Sequence, residues 1–115
     1  MAEDCLFCKI VRGDISAQKV YEDDDVLAFR DINPEAPTHV LLIPKRHLPR
    51  VTDATAEDAV LLGKMLLGAN AVAEREGIAA NGVRYVFNTN QDAGQIIFHA
   101  HMHILGGRPM GWPPG

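Results

Sequence analysis

The sequence has little that could staple, anchor or strongly charge it. Cys5 and Cys8 are the only cysteines in 115 residues, too few for the disulfide framework on which small secreted domains depend. No apolar run approaches the ~18 residues of a membrane span. The start, Met1-Ala2-Glu3-Asp4, is acidic where a secretory leader is basic. Cations are in deficit: 11 Lys and Arg stand against 15 Asp and Glu, a formal net charge of -4, so no cationic excess displaces counterions along a polynucleotide. These absences exclude a nonspecific nucleic-acid binder and lead us to expect a soluble cytoplasmic chain without membrane or nucleic-acid partners. No internal repeat, linker or low-complexity tract is present, so one domain over 1–115 is expected. What is present, 47% hydrophobic and 23% charged residues, is the balance of a folded protein and excludes intrinsic disorder.

Leu6 to Val11, stopped by Arg12-Gly13-Asp14, predicts a short helix with Phe7 and Ile10 on one side. Lys19-Val20-Tyr21 and Val26 to Ile32 predict a hairpin whose acidic turn, Glu22 to Asp25, reads as a solvated tip. Two prolines, Pro34 and Pro37, precede a third strand over Thr38 to Ile43, closed by Pro44. Thr55 and Asp58 form the ends of a capping box, and Leu61, Leu62, Met65, Ala69, Val72 and Ala73 then recur as one stripe, predicting a long helix over 56–76. Arg84 to Asn88 and His99 to Leu105 complete five strands. With no helix of about 10–15 residues between most successive strands, the expectation is α+β: an antiparallel five-stranded sheet with one long and one short helix. Leu66 and Leu67 lie off the helix stripe; burial against a second copy accounts for them, with packing under a loop as the alternative.

All five histidines fall in two stretches, His39 with His47 and His99 with His101 and His103. On a strand, His99, His101 and His103 share one face at about 7 Å spacing, while Ala100, Met102 and Ile104 face the core. Three packed histidines in register would each demand hydrogen-bond partners, so a chemical role is the better reading. No carboxylate flanks them, as a metal-dependent hydrolase would need. A neutral imidazole nitrogen is itself a nucleophile toward phosphorus, and neighbouring imidazoles can fix its tautomer and move protons.

His99-Ala100-His101-Met102-His103 followed by Ile104-Leu105 resembles the signature of the histidine triad superfamily, and the ending Leu105 to Gly115 looks like its Hint branch. The likeness runs from about Asp4 to Gly115. It implies a homodimer whose two sheets join, and a purine nucleoside phosphoramidase acting on adenosine or guanosine 5'-phosphoramidates. By that resemblance His101 attacks the α-phosphorus and carries the nucleotide covalently. His103 contacts the phosphoryl oxygens, the carbonyl of His99 orients His101, and His39 supports the relay. Asp31 is implied to hold the ribose, with Leu6, Phe7, Ile10, Phe29 and Ile32 around the base and Asn88, Gly94 and Gln95 beside the phosphate. The resemblance sends Trp112 toward the partner subunit's site. No cofactor is implied for catalysis, and His103, where the transferase branch carries glutamine, favours hydrolysis. Ile96 stands where Hint proteins commonly carry serine, and Gly111 where a bulkier residue is often found, which bear on leaving group and substrate range. The rival readings are a nucleotide-binding regulatory module with weak or vestigial catalysis and a metal-dependent phosphohydrolase.

Cys5-x-x-Cys8 needs two further ligands to hold a structural zinc, and His47 and His99 are the histidines least committed to phosphate. Some family members, bacterial ones especially, use such a set. Reduced, packed thiols are the alternative; a redox pair is disfavoured because no thioredoxin-like βαβ unit surrounds it.

Overall fold

The structure is a computed structural model that describes residues 4–115; Met1, Ala2 and Glu3 of the acidic start noted above lie outside the described residues. The order is α1 (Leu6–Arg12), β1 (Lys19–Glu22), β2 (Val26–Arg30), β3 (Thr38–Pro44), α2 (Ala59–Arg75), β4 (Val83–Phe87), α3 (Asn90–Ala93) and β5 (Met102–Gly106), with short 3-10 turns over Val51–Asp53 and Ala56–Asp58. The strands form one antiparallel sheet in the order β1-β2-β3-β5-β4. The α+β expectation holds; the additions are the single-turn α3 and the 3-10 turns, too short to carry a periodic signal.

The sheet is covered on both faces, which is why Val26 to Phe29 are all buried rather than alternating. On one face Val26, Ala28, Val40, Leu42, Met102 and Ile104 meet Met65, Ala69, Val72 and Ala73 of α2. Each fully buried aliphatic side chain there contributes about 1.5–3 kcal/mol. Gly68 lets α2 settle closely: a Cβ there would lie 3.1 Å from Leu42 and from Val26. The expected capping box is present, Thr55 accepting from the Glu57 amide and Asp58 accepting from the Thr55 amide at 2.8 Å, and it starts a 3-10 turn that runs into α2. Leu66 and Leu67 are exposed on the outer side of α2.

On the other face Leu27, Phe29, Leu41 and Ile43 meet Phe7 and Ile10 of α1. The period of two along β3 puts His39 on this face with Leu41 and Ile43, and along β5 it puts His103 opposite Met102 and Ile104. One face of the sheet is therefore an apolar core under the long helix, with the Arg30–Glu76 ion pair at its margin, and the other carries the chemistry. A correction concerns the last strand. It begins at Met102, and His99 to His101 precede it outside the ladder, with a bend at His99; the Ala100 amide bonds the carbonyl of Leu48 instead of a strand partner.

Candidate active site

The tautomers of His101 and His39 follow from backbone partners, and that of His103 from His39. His101 Nδ1 lies 2.9 Å from the carbonyl of His99, which can only accept, so Nδ1 carries the hydrogen and Nε2 keeps its lone pair. The Glu35 amide donates to His39 Nδ1 at 3.0 Å, so the proton of His39 sits on Nε2. That Nε2–H donates to His103 Nδ1 at 2.9 Å, with Asp31 Oδ2 at 3.4 Å as a secondary acceptor, which leaves His103 with a hydrogen on Nε2. The rings of His101 and His103 are 5.1 Å apart. A lone pair and an N–H thus stand side by side, the arrangement that attack on phosphorus with stabilisation of its oxygens requires.

The surroundings favour the neutral form of His101 and His103. Burial lowers His101 below the ordinary histidine range, opposed by its bond to the His99 carbonyl and by the charge of Asp31. Burial brings His103 down to about 4, helped by His101 and His39. Phe7 sets its ring edge-on against His101 at 5.2 Å, so α1 fixes the plane of that imidazole.

His101 and His103 open into a cavity of about 620 Å³. Leu6, Phe7 and Ile10 of α1 line it together with Phe29, Asp31 and Ile32 at the end of β2, and His39 lies at its back. Asp31 accepts the Asn33 amide at 2.8 Å in an Asx turn, which points the carboxylate into the cavity mouth. Asn88 and Gly94 line the opposite wall, where Gly94 ends α3 at φ 84, a left-handed turn that glycine takes without steric cost.

Gln95 and Trp112 stand outside this lining, Trp112 being the residue that the resemblance sends to the partner subunit's site. Gln95 is buried outside the lining: its Nε2 donates to the carbonyls of Pro49 at 2.8 Å and Ile97 at 3.1 Å, and its Oε1 accepts the Asn90 amide at 3.0 Å. It ties the loop together instead of reaching the cavity. Trp112 is 81% exposed and away from the lining; Arg84 lies 5.9 Å from its ring centroid and donates to the Gly111 carbonyl. Ile15, Ser16, Ala17, Gln18 and Ile97 line the cavity without having been singled out from sequence. The only signal for the first group was an apolar Ile15 inside an otherwise polar connection.

His99 faces away from the cavity. Its Nε2–H donates to the Pro44 carbonyl at 2.7 Å, so the Nδ1 lone pair points to Cys5 Sγ at 3.3 Å, Cys8 Sγ at 3.5 Å and His47 Nδ1 at 3.2 Å. His47 Nδ1 is 3.2 Å from Cys8 Sγ. The three triad imidazoles therefore do not share one face; His99 gives its carbonyl to one site and its ring to another. A tetrahedral zinc, about 2.3 Å from sulfur and 2.0 Å from nitrogen, holds its ligands roughly 3.3–3.8 Å apart. The four distances just given lie within a few tenths of an ångström of that range, and all four donor atoms lie within 4.8 Å of one another, so the set fits that ion. Burial and the neighbouring Cys5 thiol push Cys8 up to about 11, and burial brings His99 down to about 4: neither group carries a charge here without a cation to share.

The fold and this site define a histidine triad protein: the HIT domain model matches residues 12–110, and the chain belongs to that family. Among its relatives, the purine nucleoside phosphoramidase of Escherichia coli is 52% identical over 111 residues, covering 96% of this chain and 93% of that protein. A HIT-like protein of Synechocystis is 56% identical over 115 residues, the full length of both. The crystal structure of a HIT family hydrolase from Legionella pneumophila matches with a TM-score of 0.95 and 51% identity over 97% of this chain and 100% of that one. The chain is a hydrolase of this family.

Proposed function

We infer that this chain is a single-domain purine nucleoside phosphoramidase, hydrolysing the P–N bond of adenosine or guanosine 5'-phosphoramidates. The observation that carries the reading is the lone pair on His101 Nε2, fixed by the His99 carbonyl and presented to the cavity beside His103. The similarity to the Escherichia coli phosphoramidase supports the same substrate class. In the first step His101 Nε2 forms a bond to phosphorus; the P–N bond breaks and its electron pair leaves on the amine nitrogen, which takes a proton from solvent. In the second, water attacks phosphorus, the P–Nε2 bond breaks, a proton returns to solvent and nucleoside monophosphate leaves. The Nε2–H of His103 meets the phosphoryl oxygens, Asp31 accepts from the ribose hydroxyls, and Ile10, Phe29 and Ile32 flank the base.

In this reading no metal takes part in the chemistry. A zinc ion held by Cys5, Cys8, His47 and His99 would neutralise two thiolates and hold α1 to the strands, a structural role. The exposed Val60, Leu66 and Leu67 of α2 and the free edge of β4 suit pairing with a second copy, which light scattering after gel filtration tests.

The test of the activity is release of adenosine monophosphate from adenosine 5'-phosphoramidate in excess chelator, with folding followed by circular dichroism. Turnover by the wild type and its loss in His101→Ala are expected. Folded wild type without turnover overturns the reading in favour of a nucleotide-binding module. Folded protein whose activity dies on chelation and returns with metal overturns the metal-free step.

A further inference from the structure

A second hollow adjoins the catalytic cavity. It has about 650 Å³ and shares Leu6, Ile96 and Ile97 with the first; Pro49 and Phe98 extend it. Ile96 is 87% exposed, Phe98 45% and Leu6 41%, three large apolar side chains held in water beside the reacting imidazoles. Among the described residues Asp4 is its only acidic side chain, and Cys5 and His47 line it as well.

The shelf is built, not incidental. The buried Gln95 amide binds the carbonyls of Pro49 and Ile97 together, fixing the two sides of the hollow against each other. The Ala100 amide on the Leu48 carbonyl, at 2.6 Å, ties the same two segments one step further on.

Its place relative to the chemistry decides what it receives. With the nucleoside on the Asp31 and Phe29 side and phosphorus at His101, the remaining arm of the cavity runs past Ile96 and Ile97 into this hollow. Displacement at phosphorus is in line, so the amine departs on the side away from His101 and its substituent takes the unfilled arm.

We propose that Leu6, Ile96, Ile97 and Phe98 form the leaving-group subsite, which selects phosphoramidates whose amine carries an aromatic or branched aliphatic substituent. Burying that substituent against three exposed apolar side chains is favourable, whereas a carboxylate would lose its water and face Asp4. This rests on the phosphoramidase reading and names its substrate class.

The experiment compares kcat/KM for four adenosine 5'-phosphoramidates: unsubstituted, N-phenethyl, N-(2-carboxyethyl) and N-(5-aminopentyl). We expect N-phenethyl to exceed N-(2-carboxyethyl) by at least about tenfold and to exceed N-(5-aminopentyl), a gain of the size that one buried apolar group supplies. Ile96→Ser and Phe98→Ala should each lower the phenethyl-to-carboxyethyl ratio by about threefold or more, whatever they do to the absolute rate. Turnover of all four with a ratio near unity, a preference for the cationic substituent, or a ratio unmoved by both variants overturns the subsite and leaves the phosphoramidase reading standing. No turnover of any compound by folded protein overturns both.

Discussion

Two histidine pairs occupy opposite ends of the same two strands, and their nitrogens face different partners. At the start of β3, His39 gives a proton to His103 across 2.9 Å. Past the end of β3, His47 faces His99 across 3.2 Å with two cysteine sulfurs alongside, and the Nδ1 lone pair of His99 lies among them. The residue types match and the spacing is similar; what differs is which nitrogen the backbone has already taken. The Glu35 amide claims a lone pair of His39 and so makes a donor. The Pro44 carbonyl claims the N–H of His99 and so makes a ligand. One pair is completed by a proton, whereas the other presents a lone pair to two cysteine sulfurs, a difference that the Cys5-x-x-Cys8 spacing foretells and the histidines alone do not.

His101 stands between the pairs, its Nδ1–H on the His99 carbonyl and its ring 5.1 Å from that of His103. His101→Ala removes the nucleophile and should lower kcat/KM for adenosine 5'-phosphoramidate by at least about 10³-fold, with the melting temperature within a few degrees of wild type. A loss under tenfold would mean that attack comes from elsewhere and that the two pairs do not meet at this ring.

Breaking the second pair should act on stability instead. Cys8→Ser should drop bound zinc, measured by atomic absorption on protein purified with metal, from about one per chain to well below that. It should also lower the melting temperature by about 10 °C, since metal binding is folding free energy. Equal metal content in variant and wild type would show that the four donors pack as reduced thiols and imidazoles.

Breaking the first pair should be milder. His39→Ala leaves His103 Nδ1 without its donor, so the hydrogen no longer stays on Nε2. A fall of about tenfold in kcat/KM is expected, with metal content unchanged. A variant that lost metal as well would show that the pairs are coupled through β3.

The strands and the long helix were legible because their signals are local: β3 is an aliphatic run closed by proline, and α2 starts at Thr55 with its capping box. The site was legible mainly through resemblance, since Phe29 and Ile10 look like ordinary core until the cavity beside them is seen. Periodicity misled at His99. The His-x-His-x-His alternation continues past the point where the ladder stops, and nothing in it records that Ala100 bonds Leu48 or that His99 turns to the cysteines. Gln95 was misplaced for a related reason, because a polar loop residue beside a glycine reads the same whether it faces a phosphate or ties carbonyls together.

The smallest expected effect is on pH dependence, and it sharpens the contrast at His103. Burial holds this ring at about 4, against roughly 6.5 for an unfolded histidine. Between those values the unfolded chain binds the proton that the folded one refuses, so stability is complete above about pH 6.5 and declines as pH falls toward 4. Urea midpoints for the wild type should therefore fall more steeply between these limits than those of His103→Asn, which has no proton to take up. The same burial keeps His101 Nε2 unprotonated, so kcat/KM should stay level from about pH 8 to 6.5 and fall below that, as the proton occupies the attacking lone pair. Parallel midpoint curves for the two proteins would mean that His103 is charged in the fold, and its hydrogen bond from His39 would then have to be redrawn.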